Sequence, residues 1–169
     1  MKLRLILLTV LLASTAQARE WTHDANPREE AWQWLGVLSN EDDSMTTDGL
    51  HIQNLPALKS YARKSIKEMD EWARQQSEQL CKNRAKYEHD SEKLAQWYEK
   101  RDADEAKFQQ KAIDKLPEVI GETDATSFQN FIRHKVENNP ATVGGMDNAE
   151  ELRAGRNTPT ALLNLWCAP

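Results

Sequence analysis

From Ala57 to Leu116 the chain runs sixty residues without a proline or a glycine. The stretch is built mostly from Ala, Lys, Glu, Gln, Arg and Leu, the strongest helix formers. As one helix it would extend about 90 Å at 1.5 Å per residue. That exceeds the width of a small domain, so residues 57–116 form either a protruding rod or a helical hairpin. A seven-residue stripe passes through Ile66, Ala73, Leu80, Tyr87, Leu94, Arg101 and Phe108. Its companion row is Ala62, Met69, Gln76, Asn83, Asp90, Trp97 and Asp104, and it turns polar in the middle. A stable two-stranded coiled coil needs both rows apolar. The pattern therefore predicts an amphipathic arm packed on one side, with coiled-coil pairing into a homodimer as the weaker alternative. The polar run "CKNRAKYEHDSEK" is where a turn between antiparallel helices is expected.

Shorter helices flank this arm. In "ANPREEAWQWLGVLSN", Asn26 can cap, Pro27 suits the first helical position and Glu29 completes a capping-box pattern. Trp32, Leu35 and Leu38 then share a face, with Trp34 beside them. Their indoles either fill the core or offer an aromatic surface to a partner. "SNEDDSMTTDG" reads as an acidic loop, without the oxygen spacing or final glutamate of an EF-hand. After Pro117 and Gly121, "TDATSFQNFIRHKVENNP" places Phe128, Phe131, Ile132 and Val136 at helical intervals. Residues 141–157 read as a flexible connection with one turn of helix around Ala149 to Leu152. The final element, "TPTALLNLWC", has Thr158 as cap and Pro159 at its first position. It is apolar enough to require burial. No strand-like alternation is found, so the fold class is all-α.

The two ends of the chain bear on its address. "MKLRLILLTVLLASTAQA" has Lys2 and Arg4, a short apolar run and a small-x-small end at Ala16–Ala18, the pattern of a secretory signal peptide. The expected organisation is a signal over residues 1–18 and one helical domain over 19–169. The apolar run is shorter than the roughly 20 residues of a membrane span, and no later segment would span a bilayer. Removal of the leader takes the net charge from −5 to −7. An acidic chain without a basic cluster is a poor match for nucleic acid, whose binding rests on neutralising phosphates. The implied location is periplasmic or secreted.

Export also gives the two cysteines a reading. Disulfides persist outside the cytoplasm, and Cys81 and Cys167 allow a single intramolecular pairing, with an intermolecular disulfide or two buried free thiols as the alternatives. The bond would close a loop of about 87 residues and contribute roughly 4–5 kcal/mol by loop entropy. No Cys-x-x-Cys is present, which argues against redox chemistry. The prediction is that Leu162, Leu165 and Trp166 dock the last helix near Leu80, with Cys81–Cys167 pinning it.

A catalytic site is harder to find. His23, His51, His89 and His134 are scattered, and none is spaced for metal ligation. Ser44, Ser60, Ser65 and Ser127 lack a nucleophile-elbow context. A carboxylate pair drawn from Glu29, Glu30, Asp102 or Glu118 would be arbitrary among 27 acidic residues. No cofactor and no metal is expected. The sequence points to a non-enzymatic protein that binds another envelope or secreted protein, such as an accessory subunit of a secretion or conjugative transfer apparatus. An inhibitor or immunity protein is the second reading, and a small secreted hydrolase the third. Trp21, Trp32, Trp34 and Trp97 are the candidate partner-binding residues.

Overall fold

The computed structural model describes residues 26–40, 49–138 and 147–167, and every regular element among them is helical. The leader, Trp21, His23, the acidic loop through Ser44 and residues 141–146 of the connection lie outside the described residues. No helix among the described residues is long and apolar enough to cross a membrane.

Residues 57–116 form a hairpin. Helix α2 (Leu55–Lys82) runs out, α3 (Arg84–Tyr87) follows after a break at Asn83, and α4 (Ser91–Asp114) returns. The pairing is antiparallel: Tyr61 Oη donates to the Ala112 carbonyl at 2.8 Å, across 51 residues of chain. The reversal falls within the polar run where the turn is expected. Asn83 Nδ2 donates back to the Gln79 carbonyl at 2.8 Å, and Asp90 caps α4 by accepting from Lys93 N at 3.0 Å. Short polar side chains that bond to nearby backbone offer it an alternative to continuing the helix.

Helix α1 (Pro27–Ser39) lies across the open end of the hairpin, packed on α2 and touching α4. Asn26 caps it, its Oδ1 accepting from Arg28 N at 3.0 Å, as the sequence predicts. Beyond α4, α5 (Leu116–Ile120) and α6 (Glu122–Asn138) turn back over α1 and α2. Gly121 makes that corner at φ +87°, a backbone conformation open to glycine. Asp124, buried at the start of α6, accepts from the Gln53 and Asn54 amides at 3.0 and 2.7 Å. It thereby ties α6 to the N-terminus of α2. Ala31, Leu35, Leu38, Leu58, Ala62, Leu116, Ile120, Phe128 and Ile132 fill the core of this base.

A second core occupies the tip. Leu80 from α2 and Leu94, Ala95 and Tyr98 from α4 meet α7 (Asn148–Arg153) and α8 (Pro159–Trp166). The expected turn around Ala149–Leu152 is α7. It is more than a feature of a connection, because both of those side chains are buried. Between the two cores the facing positions are more polar, with Ser65 and Gln109 buried there.

Helix α8 starts as expected, Thr158 Oγ1 accepting from Ala161 N at 3.2 Å, and Cys81–Cys167 joins its end to the last turn of α2. Its inward face differs from the predicted one. Leu162 and Leu163 are buried and Trp166 is half-buried, whereas Leu165 is 76% exposed. Leu162, Leu163, Trp166 and Cys167 lie at i, i+1, i+4 and i+5, one continuous face at 3.6 residues per turn, and Leu165 projects away from it. The disulfide decides between the two apolar faces that the sequence allows.

Candidate functional site

The tip combines a covalent clasp with a cleft of mixed aromatic, amide and charged side chains. Its backbone is closed by the disulfide, whose Cα atoms are 5.5 Å apart across 86 residues of sequence. Arg84 adds a second clasp, donating to Asn164 Oδ1 at 2.7 Å from the hairpin turn to α8. A third comes from Arg153 of α7, which bonds Glu92 Oε1 and Oε2 at 3.0 Å and also pairs with Glu99. Arg153 holds both carboxyls below the ordinary glutamate range, and their charges raise its own pKa in return. These groups are solvated, so the network orients α7 more than it stabilises the fold.

Aromatic side chains cover the small core. The Trp97 and Tyr98 ring centroids are 5.1 Å apart at 77°, and Tyr98 lies 6.5 Å from Trp166. The Arg101 guanidinium stands 5.3 Å from the Trp166 ring centroid, within cation–π range. Arg101 is oriented by Asp102 at 3.2 Å and Glu105 at 3.4 Å. Burial pushes the Tyr98 phenol up to about 12. It therefore stays protonated at neutral pH and is unsuited to act as a base.

A cleft of about 330 Å³ opens between the arms beside this cluster. The α2 side supplies Gln76, Gln79 and Asn83, and α3 supplies Tyr87. Trp97, Lys100, Arg101 and Asp104 come from α4. Two aromatic faces, three amides and charges of both signs make a surface able to hold a polar chain by hydrogen bonds and an apolar group by stacking. The sequence does contain a trace of the cleft. Gln76, Asn83, Trp97 and Asp104 belong to the companion row of the heptad stripe, and Tyr87 and Arg101 belong to the stripe itself. Where that row turns polar, the arms stand apart and the cleft forms.

The predicted aromatic contacts do not form one site. Trp97 is at the tip, while Trp32 and Trp34 are at the base in contact with a different core. Both base indoles are half-buried and clasped edge-on: Trp32 by Phe108 at 6.0 Å, Trp34 by Phe131 at 4.7 Å. Trp34 also donates through Nε1 to Glu30 at 3.0 Å and accepts the Lys135 ammonium over its face at 5.1 Å. These contacts hold Trp34 against the base core and leave it half-buried. Leu165, the one exposed large hydrophobic side chain among the described residues, was assigned to the core by sequence and belongs with the surface.

Of the residues considered for catalysis, the structure brings His51, Ser127 and His134 to one cavity of about 440 Å³ at the base, with Lys135, whereas His89 is exposed in the hairpin turn. Among the described residues, no three His, Cys, Asp or Glu side chains are grouped to hold a metal ion. The chain matches no known protein family, no characterised protein and no solved structure.

Proposed function

We propose that this chain is an exported, non-enzymatic helical protein that works by binding another envelope or secreted protein through the tip of its hairpin. The observation that carries this reading is the exposure of Leu165 on a helix held by a disulfide and bordered by Trp166. An apolar side chain kept in water on a rigid element favours association, because preorganisation removes part of the ordering entropy that binding would otherwise cost. Trp97, Tyr87, Lys100 and Arg101, which line the tip cleft, are of the aromatic and cationic types that carry binding energy at interfaces. A disulfide that closes so long a loop fits an oxidising compartment, in line with the leader-like N-terminus. A hairpin with a distinct core at each end suits an accessory subunit that spans two components of an envelope assembly, a secretion or conjugative transfer apparatus being the type in view.

The test is crosslinked affinity capture from the native envelope, comparing the wild-type chain with Leu165→Asp and Trp97→Ala. The reading expects one defined protein to be retained by the wild type and lost with Leu165→Asp at unchanged helix content. Retention that ignores both substitutions, or no retained protein at all, would overturn it.

A further inference from the structure

The tip cleft has a chemistry that the docking of Leu165 does not use. Gln76, Gln79 and Asn83 line its α2 wall at i, i+3 and i+7, a single row that rises about 10 Å at 1.5 Å per residue. Gln79 and Asn83 are exposed and Gln76 is half-buried, so all three amides are open to a ligand. The Gln76 and Gln79 amides form no side-chain hydrogen bond among the described residues. Asn83 spends Nδ2 on the Gln79 carbonyl at 2.8 Å and keeps its amide oxygen as an acceptor. On the α4 wall Trp97 is half-buried, and its ring is held 5.1 Å from the buried Tyr98 ring at 77°, which fixes the indole in place. Tyr87 is less open, because the Lys86 ammonium stands 5.4 Å from its ring centroid. Exposed Lys100 and half-buried Asp104 bring both signs of charge, and Asp104 gives one carboxylate oxygen to Lys107 at 3.1 Å.

We propose that this cleft binds a neutral oligosaccharide built from gluco-configured rings, with one ring lying against Trp97. A carboxamide presents a donor and an acceptor side by side, which complements adjacent hydroxyl groups that each donate and accept. Three such amides in a row suit a ligand that carries hydroxyls along its whole length. The indole offers an electron-rich face to the C–H groups that cover the flat side of a sugar ring. Charge argues for a neutral ligand: a polyanion meets a chain of net charge −5, and a cation meets Lys100 and Arg101. Lys100 and the second carboxylate oxygen of Asp104 add a charged donor and a charged acceptor for hydroxyls. At about 330 Å³ the cleft is at the small end of ligand sites, room for a short segment of glycan. The site does not use Leu165 and stands whether or not that side chain docks a protein.

The experiment is an NMR titration of the full folded chain, disulfide intact, with cellotriose and with N,N′,N″-triacetylchitotriose. Saturable shifts at millimolar sugar are expected in the Trp97 indole N–H and in the Gln76 and Gln79 side-chain amides. The tighter of the two trimers tells whether the glycan is plain or acetamido-substituted. Trp97→Ala should weaken binding at least tenfold, Trp97→Phe should restore part of it, and Gln79→Ala at the exposed rim should weaken it several-fold. Helical circular dichroism reports whether each variant is folded. The absence of saturable shifts with both trimers overturns the proposal, as does binding that Trp97→Ala and Gln79→Ala leave unchanged. Tighter binding of acetyl-Ala-Asp-Ala-amide at the same resonances assigns the cleft to a protein partner and also overturns it.

Discussion

The base and the tip solve the same packing problem with different means. The base buries large aliphatic and aromatic side chains from α1, α2, α5 and α6, including Leu35, Leu38, Leu58, Leu116 and Phe128. It has no covalent link and relies on area, at about 25 cal/mol per Å² of apolar surface removed from water. The tip buries fewer groups, among them Leu80, Tyr98 and Leu163, and gathers them from segments distant in sequence. A core that small does not repay the entropy of closing such long loops, so the disulfide and the Arg153 and Arg84 clasps accompany it. The comparison teaches that the cysteine pair marks the place where hydrophobic burial falls short. The same shortfall leaves aromatic edges and Leu165 at the surface of the tip.

The sharpest way to break the comparison is to remove the staple. Replacing Cys81 and Cys167 together by serine should lower global stability by about 4–5 kcal/mol, the upper-end loop-entropy figure, in urea denaturation. A smaller loss with a changed denaturant slope would mean that the serine variant exposes a different amount of surface on unfolding, and the loop-entropy figure would not apply.

Single core truncations come next. Leu35→Ala at the base and Leu163→Ala at the tip each remove a fully buried leucine and should cost about 2–5 kcal/mol. Leu165→Ala, two residues on and about half a turn round the helix, should stay within about 0.5 kcal/mol. Thermal melts of the three variants would expose a wrong α8 register, because a large loss at Leu165 contradicts the outward face.

Asp124→Ala tests the base through the carboxylate buried there. The change leaves the Gln53 and Asn54 amides without their acceptor and should cost about 1–3 kcal/mol, with faster exchange of those two amides.

The smallest effect is on pH. Glu92 and Glu99 titrate lower in the folded chain than their ordinary value of 4.5, through Arg153. Their contribution to docking α7 is therefore present above about pH 4.5 and is lost as pH falls through the lowered folded values. The protection of α7 amides relative to their intrinsic exchange rate should fall on acidification below pH 4 in the wild type, and the fall should be blunted in Arg153→Gln. Unchanged acid sensitivity in that variant would remove the network from the account.

Much of this architecture is legible in the residues because it is local. Caps at Asn26 and Thr158, the corner at Gly121 and the polar hairpin turn depend on neighbours within a few positions, and sequence spacing reports them directly. The disulfide was legible from the leader-like N-terminus and the single intramolecular pairing open to two cysteines, and the structure forms it over the alternatives of an intermolecular bond or two buried thiols. The inward face of α8 was harder. Leu162 and Trp166 extend equally well toward Leu163 or toward Leu165 on a helical wheel, and periodicity alone does not choose. Cys167 does choose, because its partner is on α2, and counting it as part of the buried face recovers Leu163. The burial of Ala149 and Leu152 was less visible, since two small apolar residues among charged ones carry little periodic signal. The tip cleft was present only as a failure of the heptad pattern at Gln76 and Asn83, and a gap between helices is a tertiary fact. Trp32, Trp34 and Trp97 were singled out by residue type, but type alone does not tell a clasped indole from one beside a cleft.

The central claim is that the tip is a separately held unit whose order depends on the disulfide, while the base stands without it. Hydrogen–deuterium exchange by segment, on the oxidised and the reduced chain at neutral pH, tests this most directly. The account predicts that reduction raises exchange in α7, α8 and the first half of α4 and leaves α1, α5 and α6 protected. Uniform loss of protection along the whole chain, or unchanged protection in α8, would contradict it.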